Sequence, residues 1–339
     1  MAGRVTIADV AARAGVSSAT VSRVIAGASG RRVRDDLSER VRKAAEELRY
    51  APNMAARAMA RGQAASIGLI VADIADSYFS SITAGVIARA DEADVNVILT
   101  TTQNRSELEA RFVRVLGGHQ VEAIILAGGR RSREVEDTSL AVRDYRADGG
   151  AVVLIGQQGL NADTVEVGNS DGAASLAQAL WELGYRRFSI LGGEPDHRTV
   201  QSRRDGFVRR LAELGVSVPG KFVIDTDSSY EGGEAGMVHL ASLGDLPDVV
   251  FAVNDVVALG VLAAARAIGV DIPGRMGLAG FDDIPTLRAL APSITTVRLP
   301  LVQIGRQAAA LALTAAVGAP PRVVSARGEV ICRDSTPRR

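Results

Sequence analysis

Gly168-Asn169-Ser170-Asp171-Gly172 is a match to a nucleophile motif. In a G-x-S-x-G turn the serine stands between a strand and a helix, exposed for attack on an acyl carbon. A strand-like Thr-Val-Glu-Val run precedes it and a helical run follows, as the motif asks. Acyl transfer also needs a base, an acid to orient that base, and an oxyanion loop. His197 and His239 are nominal bases, but no acid or oxyanion motif is visible with them. Short patterns of this kind arise by chance, so a Ser170 hydrolase is kept as a minor alternative. No G-x-G-x-x-G, P-loop or H-E-x-x-H occurs. The three histidines (119, 197 and 239) are scattered, and Cys332 is the only cysteine. A disulfide and a cysteine zinc site are therefore excluded, and no metal, cofactor or catalytic residue is expected.

Arg23 offers binding chemistry instead. A guanidinium can bond guanine O6 and N7 bidentately. The elements around it are short helices. Ile7, Val10, Ala11 and Ala14 fall at i, i+3, i+4 and i+7, one apolar stripe. Thr6 can cap that helix, with Asp9 three residues on, close to a capping box. Gly15 permits a tight turn. Ser17 is a good cap for a second helix whose Val21 and Val24 face inward. A third stripe runs through Leu37, Val41, Ala45 and Leu48, with Asp36 and Glu39 in its first turn. The spacing Ala11–Gly15–Val21 is that of a helix-turn-helix. Its second helix would lie in the major groove with Ser18, Ala19, Ser22 and Arg23 exposed. Ala19 suits a thymine methyl, while Ser17 and Thr20 suit phosphate, which positions without specifying. A plain helical hairpin with a solvated face has the same spacing, and on spacing alone it stays open.

Charge separates this head from the rest. The 339 residues hold 39 Lys+Arg and 39 Asp+Glu, a formal net charge of zero. Residues 1–62 hold 12 basic and 6 acidic residues, and residues 63–339 hold 27 and 33. A basic head on an acidic body implies two units with different partners. The 47% apolar content suffices for a packed core. No apolar run reaches the ~18–20 residues of a membrane span, and the N-terminus has no signal-peptide core, so a cytoplasmic protein is expected.

The string VTIADVAARAGVSSATVSRVI closely resembles the N-terminus of the LacI/GalR family of bacterial transcriptional regulators, matching VTI-x-DVA-x-x-AGVS-x-x-TVSRV at nearly every position from Val5 to Val24. Two features depart from the pattern: Ala26 replaces a usual asparagine, and the basic loop at 27–36 is about two residues longer. Residues 50–62 read YAPNMAARAMARG. Pro52 ends the preceding helix and Asn53 can cap a new one, too short to be stable alone in water. The stretch matches the family hinge Y-x-PN-x-x-A-x-x-L except that Met59 stands for the leucine. The resemblance implies that Asn53, Ala56, Arg57 and Met59 meet DNA, with Met59 as the apolar minor-groove wedge. It also places Thr6 among the DNA-facing residues.

From Ser66 onward, apolar runs at 66–72, 95–101, 123–127 and 151–155 alternate with helical stretches, and a second series follows at 187–191, 249–253 and 276–281. Amphipathic helices are expected at 173–183 and 256–268. This alternation predicts an α/β fold, with two parallel-sheet subdomains and ligand binding beyond the C-terminal strand ends. The body too resembles the family, whose effector domain is similar to a periplasmic sugar-binding protein: IGLIVADIADSYF, R-x-x-GF at 203–207, ND-x-x-A-x-G at 254–260, GFDD at 280–283 and P-x-x-TT-V at 292–297. The family pattern also accounts for the glycine of the G-x-S-x-G match without catalysis.

The resemblance implies an effector set. Tyr78 and Phe79 would stack on a sugar or base face. Arg203, Asn254 and Asp282 would supply directional hydrogen bonds, with Asp76, Gln157 and Asp227 at the rim. Each polar residue has an alternative use as a loop or helix cap, Asp255 and Asp283 above all. Trp181 is expected to pack. Val167-Gly168-Asn169 stands where the family has V-D-N, Gly156-Gln157 where it has Asp-Arg, and no clear aromatic is found near Asp227. The expected organisation is a helix-turn-helix domain at 1–50, a hinge helix at 51–63 and an effector-binding, dimerising body at 64–339. The expected function is a homodimeric, cytoplasmic repressor on a near-palindromic double-stranded DNA operator, controlled by a small carbohydrate-like effector and making no membrane contact. A solute-binding protein is the main alternative, opposed by the DNA-binding head.

Overall fold

The computed structural model describes residues 5–26, 33–48, 66–105, 107–128, 135–156, 160–316 and 319–339. The chain divides into a unit ending at Ala65 and a unit beginning at Ser66.

Among the described residues of the first unit are three helices: α1 (Ile7–Ala14), α2 (Ser18–Ala26) and α3 (Asp35–Glu47). Thr6 and Asp9 make a full capping box, the Asp9 N–H donating to Thr6 Oγ1 at 3.4 Å and the Thr6 N–H to Asp9 Oδ2 at 2.7 Å. Two N–H groups at the start of α1 thereby gain side-chain partners. Gly15 adopts φ 63, and a Cβ there would lie 2.7 Å from Arg40 Nη2, which donates to the Ala14 carbonyl. The left-handed backbone favours glycine, and a Cβ would push the Arg40 guanidinium off that carbonyl. Val10, Ala11, Ala14, Val21, Val41 and Ala44 are buried as one small core. In α3 the fully buried alanine is Ala44, with Ala45 of the expected stripe half-buried beside it.

The second unit holds two parallel sheets. The larger has the order β11-β5-β4-β3-β1-β2, built from β1 (Ser66–Val71), β2 (Asn96–Thr101), β3 (Ala123–Ala127), β4 (Ala151–Ile155), β5 (Asp163–Val167) and β11 (Val323–Ala326). The smaller has the order β7-β6-β8-β9, from β6 (Phe188–Leu191), β7 (Val223–Ile224), β8 (Val249–Ala252) and β9 (Gly277–Ala279). Central strands such as β3 and β8 are buried at every residue. Parallel strands covered on both faces must be apolar throughout, which is why they stood out as continuous runs. All seven runs are strands. Strands β7 and β11, and the antiparallel pair β10 (Thr296–Arg298) with β12 (Glu329–Ile331), have two to four residues each, too few to leave a periodic signal.

Helices α4 (Ser77–Asp91), α5 (Glu107–Gly118), α6 (Val135–Ala147), α7 (Asn169–Glu182), α8 (Arg198–Glu213), α9 (Tyr230–Ser242), α10 (Asp255–Ala267) and α11 (Leu301–Leu313) complete the unit. The chain passes between the sheets three times: from β5 into α7, from β10 into α11, and from β11 into β12. Where α11 crosses α4, a Cβ on Gly305 would lie 2.0 Å from the Ile82 carbonyl oxygen, and one on Gly85 2.0 Å from that of Val302. The two backbones therefore touch, which anchors the returning chain on the larger sheet. No helix among the described residues is long and apolar enough to cross a membrane.

Candidate functional site

On α2, Ser18, Ala19 and Arg23 are exposed and Thr20 and Ser22 half-buried, while Val21 is buried in the core between them. The helix thus presents the expected polar face. Ser17, just ahead of it, is exposed and bonded to its neighbour: its Oγ accepts from the Thr20 N–H at 3.2 Å and lies 2.9 Å from Thr20 Oγ1. Thr6 is exposed and occupied as the α1 cap. Asn53, Ala56, Arg57 and Met59 of the expected hinge, and Gln157 of the expected effector set, lie outside the described residues.

A cleft of about 730 Å³ opens in the body. Asp76, Tyr78, Phe79, Arg203, Asp227, Asn254 and Asp282 all line it. They come from loops and helices that follow the C-terminal ends of β1, β6, β7, β8 and β9, where the chain leaves a parallel sheet. Tyr78 and Phe79 meet edge to face with ring centroids 4.9 Å apart, so one wall is aromatic. Burial, with help from the Asp282 carboxylate, pushes the Tyr78 phenol up, so it stays a neutral hydrogen-bonding group.

Arg203 is the centre of the polar wall and is only 4% exposed. Its Nε donates to Asn169 Oδ1 at 2.8 Å, Nη1 to the Val253 carbonyl at 2.7 Å, and Nη2 to Asp282 Oδ1 at 2.7 Å. Its guanidinium also lies 4.0 Å over the Phe281 ring. Arg203 therefore gathers the starts of α7 and α10 and the end of β9 before any ligand arrives. Burial raises the Asp282 carboxyl, and Arg203 pulls it back toward the charged form.

Two expected ligand groups already have structural work. Asn254 caps α10, its Oδ1 accepting from the Val257 N–H at 2.8 Å. Asp76 caps α4, accepting from the Tyr78 N–H at 2.9 Å. Burial raises the Asp76 carboxyl. Asp255 and Asp283 stay out of the cleft and hold loop structure, the alternative use expected of them. Asp255, fully buried, accepts from the Ile284 N–H at 2.8 Å and from Thr296 Oγ1 at 2.7 Å. Asp283 takes three arginines, described below. Trp181 packs as expected, with Arg186 4.7 Å over its ring.

Asn169, Glu194, His197 and Tyr230, none of them in the expected effector set, also line the cleft. Asn169 stood in plain view within the altered V-D-N stretch. Tyr230 corrects the expectation of no aromatic near Asp227: it lies three residues on, at the first position of α9, 37% exposed. Serine 229 intervenes as the α9 cap, so the aromatic falls after the loop and not within it.

Ser170 lies in the first turn of α7 against α8. A Cβ on Gly206 would lie 2.1 Å from the Ser170 carbonyl oxygen, and Ser170 Oγ accepts from Arg209 Nη2 at 3.2 Å. Ser170 does not line the cleft. The G-x-S-x-G match is thus a helix start under a close helix crossing.

Residues 6–53 match the model of the lacI family of bacterial regulatory proteins, and residues 177–336 match the periplasmic binding protein-like domain. The HTH-type transcriptional regulator GalS of Salmonella typhimurium is 32% identical over 93% of this chain and 91% of its own. The HTH-type transcriptional repressor CytR of Escherichia coli is 30% identical over 98% and 96%. Among solved structures, a transcriptional regulator CelR–cellobiose complex covers 98% of this chain and all of its own, at 26% identity and TM-score 0.72. The chain belongs to the lacI family. It is a DNA-binding transcriptional regulator with a helix-turn-helix head and a periplasmic-binding-protein-like body. The regulator's Arg203, Asp227, Asn254 and Asp282 fall inside the second matched span, whereas Asp76, Tyr78 and Phe79 precede it. Both relatives are transcriptional regulators.

Proposed function

We propose that the regulator is a cytoplasmic, homodimeric repressor whose operator affinity is set by a small polar molecule bound in the body cleft. The supporting observation is the cleft itself, where an aromatic wall of Tyr78 and Phe79 faces the Arg203–Asp282 pair. Aromatic faces beside fixed hydrogen-bonding groups suit a ring with hydroxyl groups, a sugar or a nucleoside. The structural relative CelR was solved with cellobiose, which supports a carbohydrate. Asp76, Asp227, Asn254 and Gln157 belong to the same proposed set. Ser170 is assigned no catalytic role, and the units are assigned as helix-turn-helix (1–50), hinge (51–63) and body (64–339).

Two copies would place their α2 helices in successive halves of a near-palindromic operator. Arg23 reads a base edge, flanked by Ser18, Ala19 and Ser22, while Thr6, Ser17 and Thr20 hold phosphate. Asn53, Ala56, Arg57 and Met59 carry the hinge contacts between them. An effector then acts only through its differing affinity for the two body states.

A thermal-shift screen of sugars, sugar acids and nucleosides tests the cleft. A compound at a hundredfold excess over its Kd should raise the melting temperature by ~5 °C or more. Tyr78→Ala should abolish that rise, read against the variant's own unliganded melt, which loss of a core-packed ring lowers. A rise that survives Tyr78→Ala would move the ligand out of this cleft. On the head, Arg23→Ala should lose preference at one position per half-site by ~1–3 kcal/mol. Equal weakening on every sequence would make Arg23 a phosphate contact.

A further inference from the structure

Asp282 and Asp283 are consecutive, buried and both at positive φ, 123 and 59, yet their side chains serve different places. Asp282 faces the cleft and Arg203. Asp283 does not line the cleft, and its side chain is 0% exposed. Its Oδ2 accepts from Arg298 Nε at 2.7 Å and Arg288 Nη2 at 3.0 Å, and its Oδ1 from Arg333 Nη2 at 2.5 Å.

Those arginines matter for where they sit. Arg298 ends β10, the strand that leads into α11 and the larger sheet. Arg333 follows β12, the strand that brings the chain back. Arg298 and Glu329 pair in the antiparallel register that joins the two crossings. The backbone of the same dipeptide is tied to the outgoing crossing as well: the Asp282 N–H donates to the Val297 carbonyl at 2.8 Å, and the Leu299 N–H to the Asp282 carbonyl at 3.3 Å. The remaining crossing begins α7, and Asn169 there is held by Arg203. One chain of contacts thus runs from the first crossing through Arg203, Asp282 and Asp283 to the other two.

Positive φ at a non-glycine residue is strained and persists only where surroundings over-determine it. Here two such residues adjoin, and the three-arginine clamp is the over-determining contact. Burial alone would raise the Asp283 carboxyl; the hydrogen bonds of Arg298, Arg333 and Arg288 hold it below its ordinary value instead.

We propose that Asp283 is a positioning residue that fixes the Asp282 carboxylate in the cleft and ties the state of that cleft to the β10–β12 crossings. It touches no ligand. An effector that draws on Arg203 or Asp282 would change the dipeptide's backbone, and the clamp would pass that change to the strands on the passages between the two sheets. The proposal rests on the effector-cleft reading above and adds the route by which occupancy is felt.

Hydrogen exchange of the full chain tests it without an effector, so failure of the thermal-shift screen and failure of this route are separate results. Asp282→Asn is the cleft perturbation, and the amides of 296–299 and 329–333 are the readout. With Asp283 intact, Asp282→Asn should speed their exchange ~10-fold, while β3 and β8 keep their protection. With Asp283→Asn these amides should already be fast, and adding Asp282→Asn should change them less than about twofold. Should Asp283→Asn fail to fold, Arg298→Gln with Arg333→Gln loosens the clamp and carries the same expectation. Equal acceleration by Asp282→Asn with and without the clamp overturns the proposal. So does faster exchange spread evenly over β3 and β8, which marks a merely structural role.

Discussion

Arg203→Ala is expected to unfold more readily by about 3–5 kcal/mol and to lose any effector response. The substitution leaves a carboxylate 5% exposed, Asp282, with no cation, and removes the donors of Asn169 Oδ1 and the Val253 carbonyl. The cost comes from stranding those groups, not from losing a strong bond. It also depends on pH. Burial already raises the Asp282 carboxyl, and Arg203 is what opposes the rise. Without Arg203 the folded variant holds its proton to higher pH, so its stability falls as pH increases beyond that of the parent. The parent's Asp282 is already raised to about 8, so urea unfolding at pH 6.5 and pH 9.5 should show the larger deficit at pH 9.5. Arg203→Ala with Asp282→Asn should recover part of it. A deficit that ignores both pH and the second substitution would mean that Arg203 acts by packing over Phe281 alone.

A second large effect is expected at Asp255. Its carboxyl is pushed by burial from an ordinary 3.8 to about 6, against the hydrogen bonds of Thr296 and the Ile284 N–H. The folded state thus binds this proton more tightly than the unfolded chain. The associated stability, about 3 kcal/mol, is complete below pH 4 and is lost as pH rises through 6. Asp255→Asn imitates the protonated group: its carbonyl can accept from Ile284, and its amide can donate to Thr296. Denaturant unfolding between pH 4.5 and 7.5 should show a flatter profile for the variant, which becomes at least as stable as the parent at the upper end. An unchanged slope would sink the assignment. The neighbouring glycine of the GFDD motif follows from the same packing, because a Cβ on Gly280 would lie 2.3 Å from Asp255 Oδ1.

These two residues show how differently site positions are written in a sequence. Arg203 and Gly280 stood in recognisable motifs, so their importance was legible, but their partners were not. R-x-x-GF does not say that its arginine spends three donors on Asn169, Val253 and Asp282, from segments up to 79 positions away. GFDD does not say which aspartate faces a ligand. Tyr230 was passed over because a cap and a loop separate it from Asp227, and proximity in a cleft is not proximity in the chain. The short strands β10 and β12 left no pattern, although they tie the two sheets together.

What the sequence determined by itself was local and periodic. The capping box at Thr6, the turn at Gly15 and the inward Val21 follow from rules that act within a few residues, so α1 and α2 were readable with their caps. The apolar runs determined the parallel sheets, because strands covered on both faces have no polar side to show. The split of a neutral chain into a basic head and an acidic body was equally visible in the residue counts. The tertiary structure decided which polar groups share one buried space. Burial raises Asp255, Arg203 draws Asn169 and Asp282 together, and Asp282 and Asp283 go to different partners. Such outcomes depend on desolvation and on distances between segments far apart in the chain, and neither quantity is a property of a residue and its neighbours in sequence.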